Sequence, residues 1–175
     1  MESDTICLDQ LNVLQAVFPH FWDSSSGREI LRQDAEDFPY PWPESYWKGL
    51  RTDEEGGSHL YYALGEELDE APVRAWALFD QASRELVHLQ KIFVSPLEQG
   101  QGLGGLFLRG CLDMWKNEFS FQNEGGEVEL EVAVDNQAAV ALYHQLGFGV
   151  VRQIKGFYSD GRNAYKMRYN LSHSA

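Results

Sequence analysis

Cysteine and positive charge are both scarce in this sequence. Only Cys7 and Cys111 occur, in no Cys-x-x-Cys spacing and beside no histidine pair, so nothing here suggests a metal site and both read as buried thiols. Lysine and arginine number 14 against 27 acidic residues, and the resulting net charge of −13 repels nucleic acid phosphates and favours basic partners. The same acidity also serves solubility, so charge alone does not choose a partner. Long apolar runs are missing too, and none approaches membrane-spanning length. The start Met1-Glu2-Ser3-Asp4 is acidic where a secretory signal needs basic residues. The expectation is a soluble cytoplasmic protein with no membrane or nucleic acid partner.

What remains is a chain of 175 residues, 43% hydrophobic, enough for one continuous core and too short for two comfortable domains. A single domain over residues 1–175 is expected. Glycine, proline and acidic turns cut it into short alternating elements, the pattern of a mixed α/β sheet. Residues 5–8 could form a short strand, and Ile30, Leu31, Asp34 and Ala35 could share a helix that Pro39, Pro41 and Pro43 would stop. Residues 60–64, 73–79 and 86–94 read as three strands of an antiparallel meander, joined by an acidic turn at 66–70 and a second turn at 80–84. His88, inside the third strand, reads as a packed strand residue. Leu103, Phe107, Cys111, Met114 and Trp115 recur at helical spacing, with Leu108 and Leu112 widening the stripe. A strand at 128–134 precedes a helix at 137–146, which has Asp135 or Asn136 as its N-cap and Gly147 as its stop.

The stretch Gln99-Gly100-Gln101-Gly102-Leu103-Gly104-Gly105 lies between a strand and an apolar helix. Glycines let backbone fold closely on a ligand, and the first turn of a helix offers unpaired N–H groups and the positive end of its dipole. The stretch is therefore a candidate anion site built from backbone. A dinucleotide-binding loop would need a parallel βαβ unit around it, whereas three antiparallel strands come first here. A glycine-rich turn without a ligand is the other alternative.

Gln99, Gly102 and Gly104 match the Gln/Arg-x-x-Gly-x-Gly/Ala motif of the GNAT superfamily of N-acetyltransferases, which the loop resembles. Residues 130–148 resemble the superfamily's second motif, an Asn followed by Ala-x-x-Leu-Tyr-x-x-Leu-Gly-Phe. Three further features are similar to the bacterial RimI-like ribosomal-protein alanine N-acetyltransferases and to the catalytic subunits of amino-terminal acetyltransferases. They are Glu131 in Leu-Glu-Val, the early Phe38-Pro39-Tyr40-Pro41-Trp42 run, and the segment 157–167 with its Tyr158-Ser159-Asp160-Gly161. The resemblance spans about residues 38–171, and residues 1–37 stand outside it. Two departures accompany it: Gly100 and Gly105 stand where the family often has basic residues, and Phe157 replaces the first tyrosine of a terminal pair.

The resemblance implies a GNAT-type α/β fold, a mixed and mostly antiparallel sheet flanked by helices with one splayed strand pair, and acetyl-CoA as cofactor without a metal. It assigns Ile92, Phe93, Val94, residues Gln99, Gly100, Gln101, Gly102, Leu103, Gly104 and Gly105, and Asn136 to the cofactor. Glu131 becomes the base, through direct contact or a water, and Tyr143 the acid that protonates the leaving thiolate. Partial burial is expected to raise the proton affinity of Glu131. Phe38, Trp42, Phe157 and Tyr158 would line the acceptor groove. The implied reaction is acetyl transfer to the α-amino group of a peptide or protein, by a monomer or homodimer. Acetylation of a polyamine or aminoglycoside, and a noncatalytic acyl-CoA-binding module, are the alternatives.

Overall fold

The computed structural model describes residues 11, 13–16, 18, 20–50, 52–53, 56–64, 72–118 and 126–171. The expected strand at 5–8, the thiol of Cys7 and the acidic turn at 66–70 lie outside them. Three antiparallel strands form the meander that alternation predicts: β3 (Gly56–Leu64), β4 (Val73–Gln81) and β5 (Leu86–Val94). The short β1 (Val13–Gln15) and β2 (Thr52–Asp53) pair with β3. β6 (Glu127–Ala133) joins β5 in the sheet's parallel pairing, and β7 (Gly149–Ile154) and β8 (Ala164–Asn170) close the order β1-β3-β4-β5-β6-β8-β7. The result is a mixed, mostly antiparallel open sheet, as expected.

Helices cover both faces. On one side Tyr61, Ala77, Phe79, Val87, Leu89, Leu130 and Val132 pack against Phe107, Cys111, Leu112 and Trp115 of α3 (Leu103–Glu118) and Tyr143 of α4 (Gln137–Leu146). A helix with so wide an apolar stripe has to be buried in this way. On the other side Leu60, Trp76, Leu78 and Phe93 pack against Ile30 of α1 (Ser25–Asp37) and Trp47 of α2 (Glu44–Gly49). The prolines act as read: α1 ends before Pro39, and α2 starts after Pro43. Among the described residues no helix is long and apolar enough to cross a membrane.

One irregularity positions everything that follows. Leu78 pairs with Lys91 but Phe79 pairs with Leu89, so Gln90 is an extra residue in β5, a β-bulge. Val87 and Leu89 before it belong to the α3 side, whereas Phe93 after it belongs to the α1 side. A bulge bends its strand and raises the local twist. The pairing of β5 with β6 accordingly runs through only Leu86, Val87 and His88 and stops just before Gln90. Beyond that point β5 stays with β4 as far as Val94, and β6 stays with β8 as far as Ala133. The splay implied by the resemblance therefore has a local cause.

α1 is seated by a tight turn at its start. Ser24 caps it by accepting from the Gly27 amide at 3.0 Å, and its hydroxyl donates to the Phe21 carbonyl. A Cβ on Gly27 would lie 2.2 Å from that carbonyl oxygen, which backbone cannot yield cheaply. Gly27→Ala should destabilise the fold by about 1–3 kcal/mol, the usual cost of overpacking, measurable as a lower urea midpoint with unchanged m-value.

Candidate active site

Where β5 and β6 part, a cleft of about 710 Å³ opens between them. Its walls include Ile92, Phe93 and Val94 of β5, residues 130–133 of β6, Asn136 just before α4, and Tyr143 of α4. The edge of β5 that turned toward β6 has no ladder partner there after His88, so its backbone polar groups are available to an extended ligand.

Of the glycine loop, Gln99 lines this cleft, and residues 100–105 lead on from it into α3. Gly100 and Gly102 adopt φ of 77° and 85°, a left-handed backbone that suits glycine, with open space on the side where a Cβ would stand. The amides of Gly105 and Leu106 turn back onto the Gly102 carbonyl at 3.1 and 3.2 Å. Those of Leu103 and Gly104 precede any helical carbonyl that could accept them. The two glutamines serve the loop itself: the Gln99 side chain donates to the Val94 carbonyl at 3.0 Å and that of Gln101 to the Leu97 carbonyl at 2.8 Å. Gly105 faces α4, where an added Cβ would meet Leu142 at 3.3 Å, whereas at Gly104 it would meet Val94 of β5 at 3.3 Å and Leu142 at 3.6 Å. Asn136 caps α4 by accepting from the Ala139 amide at 3.2 Å, and Gly147 ends it at φ 101°.

At the meeting of the two strands, Glu131 and Tyr143 approach from opposite sides of the sheet. Tyr143 packs edge-on against Phe148 at 5.6 Å, and burial drives its phenol pKa well above the usual value, keeping the hydroxyl protonated. Glu131 departs from expectation. Its Oε2 lies 2.5 Å from His88 Nε2, and that bond, with Lys166 assisting, outweighs burial and holds the carboxyl below the usual range rather than above it. His88 is no simply packed strand residue: it lines the cleft. Its signal was its place in the strand, since it sits opposite to Val87 and Leu89 in the alternation, on the side where Glu131 also falls.

The side expected to take the acceptor holds a second departure. Phe38 and Trp42 do reach the cleft lining, but the Lys91 ammonium lies 4.4 Å from each of their ring centres and 5.7 Å from that of Trp47. Lys91 is buried in an ion pair with Asp34 and donates to the Tyr40 carbonyl at 3.0 Å. Burial lowers the pKa of Lys91, with Asp34 opposing. Asp34 also accepts from the Trp42 amide at 2.8 Å and the Trp47 indole at 2.9 Å. The turn between α1 and α2 is thus tied to β5, leaving Pro39 and Tyr40 to face the opening. Tyr40 stacks on Tyr158 at 5.7 Å, its hydroxyl donates to Asp160, and Arg162 donates to that hydroxyl at 2.7 Å. Phe157, half exposed, stands edge-on to Tyr158 at 5.0 Å. The two lips expected to flank the groove are brought together.

Comparison with known proteins gives the family and the fold. The family model described as the acetyltransferase (GNAT) family matches residues 27–148. An N-alpha-acetyltransferase RimI from Mycobacterium tuberculosis is 33% identical over 127 residues, 72% of this chain and 66% of that protein. An N-alpha-acetyltransferase from Saccharolobus solfataricus is 35% identical over 80 residues, so the match spans about half of either chain, 46% of each. Among solved structures, Arabidopsis thaliana NAA60 in complex with acetyl-CoA superposes with a TM-score of 0.68 at 14% identity, covering 91% of this chain and 98% of that one.

Three carboxyls here are held low by hydrogen-bonding partners. Arg74 bonds Glu98 at 2.8 Å; Glu129, pushed up by burial, is brought down by Lys166 and Arg168; and Glu131 is lowered mainly by His88. Depressed folded values mean that the unfolded chain binds protons more readily, so this stability is present above the ordinary carboxylate range and is lost as pH falls through the lower folded values. Thermal midpoints should therefore be level near neutrality and decline below about pH 4.5, the ordinary glutamate value, and Glu98→Gln should remove part of that slope.

Proposed function

Because this chain belongs to the acetyltransferase (GNAT) family, we propose that it transfers an acetyl group from acetyl-CoA to the α-amino group of a peptide or protein. The observation that carries the reading is the cleft between β5 and β6, with Gln99 of the glycine loop, His88, Glu131 and Tyr143 along its walls. The loop fits the diphosphate of coenzyme A: the space beside Gly100 and Gly102 is open, and the first-turn amides of α3 are the donors. The free edge of β5 at Ile92, Phe93 and Val94 fits an extended amide-bearing arm, and a backbone donor there suits a developing oxyanion. Asn136 combines its capping bond with a place in the cleft lining.

Bound acetyl-CoA supplies an acyl carbon activated as a thioester. The protein's residues manage the protons. An α-ammonium has an ordinary pKa of about 7.7–8.0, so a modest base suffices to leave the amine free to attack. The paired His88 and Glu131 accept the proton that the nitrogen sheds as its bond to the acyl carbon forms. A carboxylate that fixes an imidazole in this way sets its orientation and tautomer. Tyr143, kept protonated by burial, gives its proton to the sulfur as the carbon–sulfur bond breaks. The base is thus a pair rather than Glu131 alone.

The clasp of Tyr40 on Tyr158 narrows the acceptor side, which suits a slender chain end. Net charge of −13 suits a cationic one. Labelled acetyl-CoA offered to peptides with free amino termini and to a polyamine panel should give the higher kcat/KM with peptides. A clear preference for polyamines would move the reading to the small-amine class, and binding without transfer to any amine would make the chain a noncatalytic module.

Two variants separate cofactor from chemistry. Tyr143→Phe should lower kcat by about 10²–10⁴-fold, the range of a lost general acid, while calorimetry shows cofactor affinity nearly unchanged. Gly102→Ala should do the reverse, weakening cofactor binding about tenfold by straining a left-handed position.

A further inference from the structure

The face of β6 and β8 that carries Glu131 holds a row of charged side chains, of which the reaction as described uses only Glu131. Glu127 and Arg168 are 3.1 Å apart, Arg168 and Glu129 2.5 Å, Glu129 and Lys166 2.5 Å, and Lys166 and Glu131 3.9 Å. Sheet register accounts for it, because Glu127, Glu129 and Glu131 share one face at period two and β8 brings Arg168 opposite Glu129 and Lys166 opposite Glu131. The charges alternate in sign along the row. It ends in the cleft, where the other oxygen of Glu131 meets His88.

We propose that Lys166 is a positioning residue for the acceptor base, holding the Glu131 carboxylate ionised and turned so that its second oxygen remains on His88. This rests on the proposed acetyl transfer. Lys166 sits 22% exposed between two carboxylates, Glu129 at 6% and Glu131 at 13%, where water screens their interaction far less than on an open surface. The groups that face Glu131 are His88 from β5, Glu129 from its own strand, Lys166 from β8 and Tyr158 from the loop before β8. Lys166 is the fixed cation among them. It is shared with Glu129, whose negative charge works against the ionised Glu131. The row therefore sets a balance that the two neighbours tip in opposite directions.

The test uses two readouts on the full chain. Lys166→Met should move the acid limb of the kcat/KM profile for a peptide acceptor to higher pH by about half a unit, with the KM for acetyl-CoA unchanged, and Lys166→Arg should restore the original limb. Glu129→Gln releases Lys166 to Glu131 and should move the limb to lower pH. Independently of turnover, a carbon-13 carboxyl NMR titration of Glu131 should show its midpoint rising in Lys166→Met. A limb or a midpoint that stays in place, or a uniform loss at every pH, overturns the proposal. If the unaltered protein acetylates no amine, the functional reading falls, and the Glu131 titration alone then decides what Lys166 does.

Discussion

The cleft exists because β5 cannot follow β6 beyond His88. Three residue pairs hold the strands together, and then the extra residue Gln90 bends β5 away while its ladder to β4 continues. Two consequences share this cause. Backbone that would have been consumed by pairing is left for a ligand, and the face assignment of the strand switches, which sends Lys91 toward α1. Without the bulge Lys91 would fall in phase with Val87 and Leu89, among the apolar residues beneath α3. A single inserted residue thus opens the site and supplies the anchor for its lip.

That anchor is a costly one to build. A buried ammonium and carboxylate lose most of their hydration, and their mutual attraction offsets this only when the remaining donors and acceptors are satisfied. Here they are: Asp34 takes bonds from Lys91, from the Trp42 amide and from the Trp47 indole, and the ammonium also reaches the Tyr40 carbonyl. Aromatic faces of Phe38, Trp42 and Trp47 contribute cation–π attraction. Losing one member of such a pair typically costs about 3–5 kcal/mol, because the other is left as an uncompensated charge. The turn at residues 38–42 is in this way rigid where it meets β5 and exposes Tyr40 where it meets the opening.

Elements whose signals are local were legible in the sequence. α4 lies where its periodicity, Asn136 and Gly147 put it, the meander follows its alternation, and the glycine loop sits at a strand-to-helix junction. What the sequence hid was set by contacts distant along the chain. Gln90 and Lys91, two polar residues in succession inside a strand, were the trace of the bulge, yet alternation on either side disguised the change of phase. The low carboxyl of Glu131 depends on His88, 43 residues earlier, and the commitment of Phe38 and Trp42 to Lys91 depends on a strand some 50 residues later. Propensity and spacing carry no information at that range. Glu129 illustrates the same limit, since its outward-looking period conceals a position buried among cations from β8.

Gly104 and Gly105 contribute through what they lack. With hydrogen in place of a side chain, they let Leu142 rest against the start of α3, and Tyr143 is the next residue along α4. The reach of the phenol into the cleft is therefore gauged by the distance between two helices, and that distance by the missing methyl group of Gly105, while the hydrogen of Gly104 admits Val94 of β5. A larger residue at Gly105 would act as a shim under α4 through Leu142, so that damage inflicted on a glycine motif would surface as a displacement of Tyr143 on a neighbouring helix.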